Sequence, residues 1–150
     1  MLVQLSTELP VSAATAFAQV QRPALLHYVA APLLAFRPRT PFPERWAPGT
    51  YETDMYLLGW VPLGRQRLGI EYTAEEGRYA LRDNGGGQLV QGWDHRISIE
   101  PLGPAACRYT DQVTIRAGWL TFLVSLFAYA FYAWRQRRWR QLARQHFRAL

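Results

Sequence analysis

No stretch constrains this chain more than its last one, Ala117 to Leu150. An uncharged apolar run, AGWLTFLVSLFAYAFYAW, leads into a basic run, RQRRWRQLARQHFR. The last proline is Pro104 and the last glycine is Gly118. Free of breakers, the stretch predicts one long helix starting near Gly118. At about 1.5 Å per residue it would run roughly 45 Å, longer than a small domain is wide. Strands that precede it need an apolar object to close on, and this is the one candidate of adequate length.

The helix carries two apolar stripes. Leu120, Leu123, Val124, Phe127 and Phe131 recur at helical spacing, and Trp119, Phe122, Leu126, Tyr129 and Ala133 form a second, rotated row. The first stripe can pack on a sheet. The second needs its own cover, expected to be the proline-rich segment 31–48 or a second copy of the chain, with lipid as the alternative. The arginine-rich end reads as a solvated helix terminus, its cations near the negative end of the helix dipole.

A membrane span is the rival reading of the apolar run. Its length approaches the roughly 20 residues a span requires, and the arginines would suit a cytoplasmic flank. Thr121, Ser125, Tyr129 and Tyr132 interrupt it, however, and removing it would leave the strands' apolar faces bare. Met1 leads straight into an alternating strand pattern, so no signal peptide is expected. The expectation is a soluble, cytoplasmic domain, with peripheral contact at a membrane surface left open.

The rest of the chain reads in order as follows. Val3, Leu5, Thr7 and Leu9 alternate with polar residues, a strand with one buried face. Ser12 is a good N-cap for a short helix over 13–20, and Pro23 opens a second short helix. Prolines at 32, 38, 41, 43 and 48 mark an extended loop, a candidate lid. From Thr50 onward the pattern is antiparallel sheet. Turns are expected at 59–64, at Glu76-Gly77, at Asn84-Gly85 and at 101–105. The last strand, Cys107 to Arg116, runs directly into the long helix.

At 150 residues the chain is long enough for one domain, 1–150, with a substantial core. The formal charge of +6 comes entirely from arginine, because the chain has no lysine. Six of those arginines sit in the helix terminus and no nucleic-acid motif accompanies them, so nucleic acid is not expected as a partner. A single cysteine, Cys107, excludes an internal disulfide and fits a cytoplasmic protein.

This element order resembles the START / polyketide cyclase / birch-pollen-allergen-like superfamily, the helix-grip fold. The resemblance spans essentially the whole chain. It is carried by the run Pro10-Val11-Ser12-Ala13-Ala14-Thr15-Ala16-Phe17 after the first strand and by the strand-to-helix join at 115–120. Trp93-Asp94-His95-Arg96 and the stretch 135–140 look like an uncharacterised bacterial branch. The resemblance implies an α+β fold, with a curved antiparallel sheet of six to seven strands wrapped round the long C-terminal helix. Two short helices would follow the first strand, and an internal cavity would lie between sheet and helix. It also implies binding of an apolar or aromatic small molecule, sometimes with cyclase, dehydratase or hydrolase chemistry. Segment 31–48 is longer than the pattern leads one to expect, which bears on the cavity mouth.

Strand alternation names the cavity lining. Trp93, His95, Ile97 and Ile99 share one face, and so do Tyr109, Asp111, Val113 and Ile115. A hairpin closing around 101–105 would oppose Ile97 to Tyr109 and His95 to Asp111, about 4.5–5.5 Å apart at Cβ. A His–Asp pair facing a cavity has three readings: a mutually satisfied buried pair, a polar anchor for a ligand, or a general base with its orienting carboxylate. Tyr51, Met55, Gln66, Leu68, Tyr79, Leu81 and Phe127 complete the expected ligand-binding set. Cys107 lies too far along its strand from Asp111 to form a triad, at about 3.3 Å per residue. Two ligands fall short of a metal site. His27 is expected to be a core or surface residue, His146 to sit at a frayed end, and no cofactor is called for. The readings are a binder of an apolar small molecule or lipid, a cyclase- or dehydratase-type enzyme using His95 and Asp111, or an adaptor that dimerises or touches a membrane.

Overall fold

The computed structural model describes residues 1–150. Strand β1 (Leu2–Leu9) is followed by helices α1 (Ala13–Val20) and α2 (Pro23–Ala30). Six strands come next: β2 (Leu34–Pro38), β3 (Gly49–Leu57), β4 (Val61–Glu75), β5 (Arg78–Gly87), β6 (Gly92–Gly103) and β7 (Ala106–Arg116). A 3₁₀ turn at Gly118–Leu120 leads into α3 (Thr121–Arg144). All seven strands form one sheet in the order β1-β7-β6-β5-β4-β3-β2, antiparallel throughout. The sheet curls round α3, with α1 and α2 after the first strand, and this is the helix-grip fold.

Local chemistry explains the element boundaries. The Ser12 hydroxyl accepts from the Thr15 backbone N–H at 3.1 Å and caps α1. Pro23 occupies the first turn of α2, where its missing N–H costs nothing. The start of α3 is held by Thr121, whose Oγ1 accepts from Ala117 N at 3.0 Å and donates to Gly118 O at 2.7 Å.

The proline-rich segment is not wholly a loop. Residues 34–38 pair with β3 as an edge strand, a place where Pro38 removes no needed ladder bond. Beyond it Trp46 is buried, its N–H donating to Gln21 O at 2.8 Å, and it packs on Phe42 and Tyr51. The segment therefore plugs the sheet opening beside α1 and does not cover the second stripe of α3.

The turn expected at Asn84-Gly85 is also displaced. Those residues lie inside β5, opposite Asp94 and Trp93, and the chain reverses at 88–91. The glycines serve close strand approach instead. A Cβ at Gly85 would stand 2.5 Å from Arg67 O, and one at Gly69 would stand 2.6 Å from Asn84 O.

Helix α3 is shorter than its sequence suggests. It ends at Arg144, and His146 and Phe147 adopt left-handed backbone, with φ of 52° and 58°. Phe147 thereby folds back edge-on to Trp139, where burial rewards the reversal. The burial of α3 departs from the expectation in its basic half, although Arg137 and Arg144, and Arg148 beyond its end, are exposed. Arg135, Gln136, Trp139, Leu142 and Ala143 in the basic half are buried. Two of the arginines around them, Arg138 and Arg140, lay their stems on the fold. Arg138 stacks on Tyr28 with its guanidinium carbon 4.1 Å from the ring centroid, and Arg140 donates to Thr7 Oγ1 at 2.9 Å. In the apolar half, Trp119 is 91% exposed, Phe122 70%, Leu126 59% and Tyr129 57%. No helix is long and apolar enough to cross a membrane.

Candidate functional site

A cavity of about 250 Å³ lies between the concave face of the sheet and α3. Of its 25 lining residues 21 are hydrophobic, so the few polar side chains define its chemistry. Those are Gln66 from β4, Asp83 from β5, His95 from β6 and Arg135 from α3. Asp83 and His95 are direct cross-strand partners and form one polar zone of the wall with Arg135, whereas Gln66 stands apart, opposite Gly87.

Behind that zone stands a buried network centred on Asp111, which is 1% exposed. Its Oδ1 accepts from His95 Nε2 at 2.8 Å and from the Tyr109 hydroxyl at 2.8 Å. Its Oδ2 accepts from Gln136 Nε2 at 3.1 Å. Arg135 Nη2 donates to the Tyr109 hydroxyl at 3.1 Å, while its Nε lies 3.7 Å from Asp111 Oδ1 and has no hydrogen-bond partner. Gln136 also donates to Leu5 O at 2.9 Å, tying the network to β1.

The electrostatics follow from burial and pairing. Burial pushes the Asp111 carboxyl up, but Arg135 first, then the His95 and Gln136 contacts, outweigh it and hold Asp111 below the usual range. Burial pushes His95 down and outweighs the pull of Asp111. His95 is therefore neutral at pH 7. Because Asp111 Oδ1 is an ionised acceptor, the network assigns the His95 proton to Nε2 and leaves a lone pair on Nδ1. Burial raises Asp83 to about 7, against a stabilising bond from Gly69 N–H at 2.7 Å. Burial also lifts the Cys107 thiol to about 11, which disarms it as a nucleophile.

The structure brings together some of the expected site residues. Met55, Gln66, Leu68, Leu81, Trp93, His95 and Phe127 line the cavity. Tyr51 and Tyr79 do not. Tyr51 donates to Ala47 O at 2.8 Å and braces Trp46, while Tyr79 stacks on Phe17 at 5.0 Å and is exposed. Tyr109 and Asp111 lie one layer behind the wall, where they hold His95 and Arg135. His27 packs beside Phe42 on α2, and His146 occupies the exposed turn after α3, each apart from His95. No group of three or more His, Cys, Asp or Glu side chains converges on a metal-binding geometry.

The register of the β6–β7 hairpin needs correction. His95 is opposed by Val113, and Asp111 by Ile97. The turn is tighter than expected, since β6 continues to Gly103 and pairs it with Ala106. The offset is two residues, and an even slip leaves every side chain on its original face. His95 and Asp111 therefore still meet, as diagonal neighbours. Two polar wall residues were not among the expected ones, although each left a signal in the sequence. Asp83 continues the inward alternation of Tyr79 and Leu81, and an acid at an inward position is informative. Arg135 extends the first stripe from Phe127 and Phe131 by one more helical step.

A family model described as Domain of unknown function (DUF8410) matches residues 11–146. The chain belongs to that family. No curated protein matches the DUF8410 chain in sequence. Among solved structures it is similar to a START superfamily protein from Mycobacterium smegmatis, with 18% identity and a TM-score of 0.68, over 96% of this chain and 97% of that one. It is also similar to a conserved protein from Geobacillus kaustophilus, with 14% identity and a TM-score of 0.65, over 97% and 96% of the two chains. Truncated norcoclaurine synthase from Thalictrum flavum matches with 13% identity and a TM-score of 0.63, over 95% and 92%. The DUF8410 chain thus has the START-superfamily fold, as its element order implied.

Proposed function

We propose that this protein binds an apolar small molecule or lipid in the cavity between the sheet and α3, with the ligand's polar end at Asp83, His95 and Arg135. One observation carries the reading: the cavity wall is almost wholly hydrophobic, and three of its four polar side chains, Asp83, His95 and Arg135, lie together. Such a wall rewards burial of apolar surface at about 25 cal/mol per Å², and the polar zone fixes orientation. One structure of norcoclaurine synthase from Thalictrum flavum, a fold neighbour, is in complex with dopamine and hydroxybenzaldehyde. An aromatic ligand is therefore within the range this architecture accepts. Native mass spectrometry on protein purified from its own host should show a retained ligand. A hydrophobic fluorescent probe should bind without denaturant and be competed by lipid or aromatic compounds. A folded protein that binds no apolar compound at all refutes the reading.

A second reading is catalytic, and the state of His95 favours it. A neutral imidazole on the cavity wall, held by Asp111 with a lone pair on Nδ1, is the equipment of a general base in a cyclase- or dehydratase-type reaction. The exposed stripe of α3 is a contact surface in either reading, for a second copy of the chain or for a membrane.

A further inference from the structure

Most of the exposed apolar side chains gather at one end, apart from Tyr72, Tyr79 and Leu102. The β3–β4 turn carries Leu58 and Trp60, the β5–β6 loop carries Leu89, and the entry to α3 carries Trp119, Phe122 and Leu123. The antiparallel register brings these segments to one end of the sheet. Leu57 pairs with Val61, Gly92 pairs with Arg116, and Gln88 reaches across to the backbone N–H of Arg65 at 3.0 Å. Leu57, Leu63, Leu89 and Leu123 also line the cavity, so its mouth opens within this apolar crown.

Charge is polarised in the same sense. The segments that build this end, residues 1–7, 31–43, 55–70, 84–93 and 112–129, contain no Asp or Glu, and Asp54, the cross-strand partner of Arg37 and Arg65, is ion-paired with Arg39 at 3.1 Å. They do contain exposed Arg37, Arg65 and Arg116. Arg37 is fixed across Tyr56 at 4.1 Å and donates to Gly59 O at 3.2 Å, directly under the β3–β4 turn.

We propose that this end of the molecule docks on an anionic membrane surface, the crown entering the interface and the cavity mouth facing the bilayer. Tryptophans with apolar neighbours and a flank of arginines are the composition that suits the headgroup region. A two-fold dimer through the same patch would bring identical arginines together, and the acid beside them, Asp54, is already paired with Arg39. It would also seal the two mouths against each other. Docking on lipid instead lets an apolar ligand enter the cavity without crossing water. That last point rests on the cavity reading, whereas the docking surface does not.

The test is flotation with phosphatidylcholine vesicles, with and without phosphatidylglycerol, alongside light scattering. Wild type should float with the anionic vesicles, and high salt should weaken the association. Trp119→Glu/Phe122→Glu should abolish flotation while the protein stays folded, because both side chains are exposed and neither lines the cavity. Arg65→Gln/Arg116→Gln should weaken binding about 30-fold, the effect of removing two interfacial cations. Leu102→Glu, at the opposite end, should change nothing. Wild type that floats with neither vesicle, or a dimer dispersed by Trp119→Glu/Phe122→Glu, overturns the proposal. Protein that binds a hydrophobic probe but never floats refutes docking alone, and protein that floats but binds no probe refutes the cavity reading alone.

Discussion

His95 and Asp111 are not cross-strand partners, yet His95 Nε2 lies 2.8 Å from Asp111 Oδ1. The bond spans a diagonal of the β6–β7 pairing, and Asp111 uses the same oxygen to accept from Tyr109. One buried carboxylate thus sets the tautomer of a cavity-wall histidine and faces the buried Arg135. The first consequences concern that carboxylate.

Asp111→Asn should destabilise the protein by about 3–5 kcal/mol, because it strands the Arg135 cation in the interior. Urea unfolding checks this. Asp111→Leu combined with Arg135→Met, which removes both charges, should recover most of the loss.

Asp83 should make stability fall as pH rises. Its folded carboxyl titrates near 7, above the ordinary value of 3.8, so the native state binds the extra proton between those values. That stabilisation is complete below about pH 4 and lost as pH passes through 7. Relative to Asp83→Asn, wild type should lose about 2–3 kcal/mol between pH 5 and pH 8. His95 acts in the opposite sense. Its folded pKa lies below 6.5, so stability is lost as pH falls from 6.5 through the folded value. Unfolding curves of Asp83→Asn and His95→Gln across pH separate the two slopes.

Trp93→Ala should enlarge the cavity at its wall. Trp93 donates from Nε1 to the Tyr132 hydroxyl at 3.2 Å and stacks on that ring at 6.2 Å. The cost to stability should be about 3 kcal/mol. The affinity for a hydrophobic probe should change with it, as fluorescence titration would show.

His95→Gln separates catalysis from carriage. If His95 is a general base, the change should lower the rate by roughly 10²-fold with little effect on affinity. Retention of both rate and affinity would make His95 a structural residue. The substrate for this assay is the compound retained in native mass spectrometry, or its close analogue.

Much of the architecture was legible in local pattern. The period-2 alternation of β1, β6 and β7, the Ser12 cap and the breaker-free C-terminal run each reflect geometry within a few residues. The inward faces of β6 and β7 were legible for the same reason, and parity protected them from the register error. The edge strand at 34–38 was not, because prolines mask strand propensity and an edge tolerates them.

Sequence by itself determined the element order apart from the edge strand at 34–38, and the inward faces of β6 and β7 that set His95 and Asp111 on one side of the sheet. Only tertiary structure decided that the basic half of α3 is buried along one side and that one stripe of its apolar half is left bare. A helix reads apolar residues as core and arginines as surface when its partners are unknown. Here Asp111 and Tyr109 on β7 wait inside the sheet for Arg135, while nothing in the fold reaches over Trp119, Phe122 and Leu126. Burial is a property of what lies opposite, and what lies opposite α3 comes from strands distant in the chain.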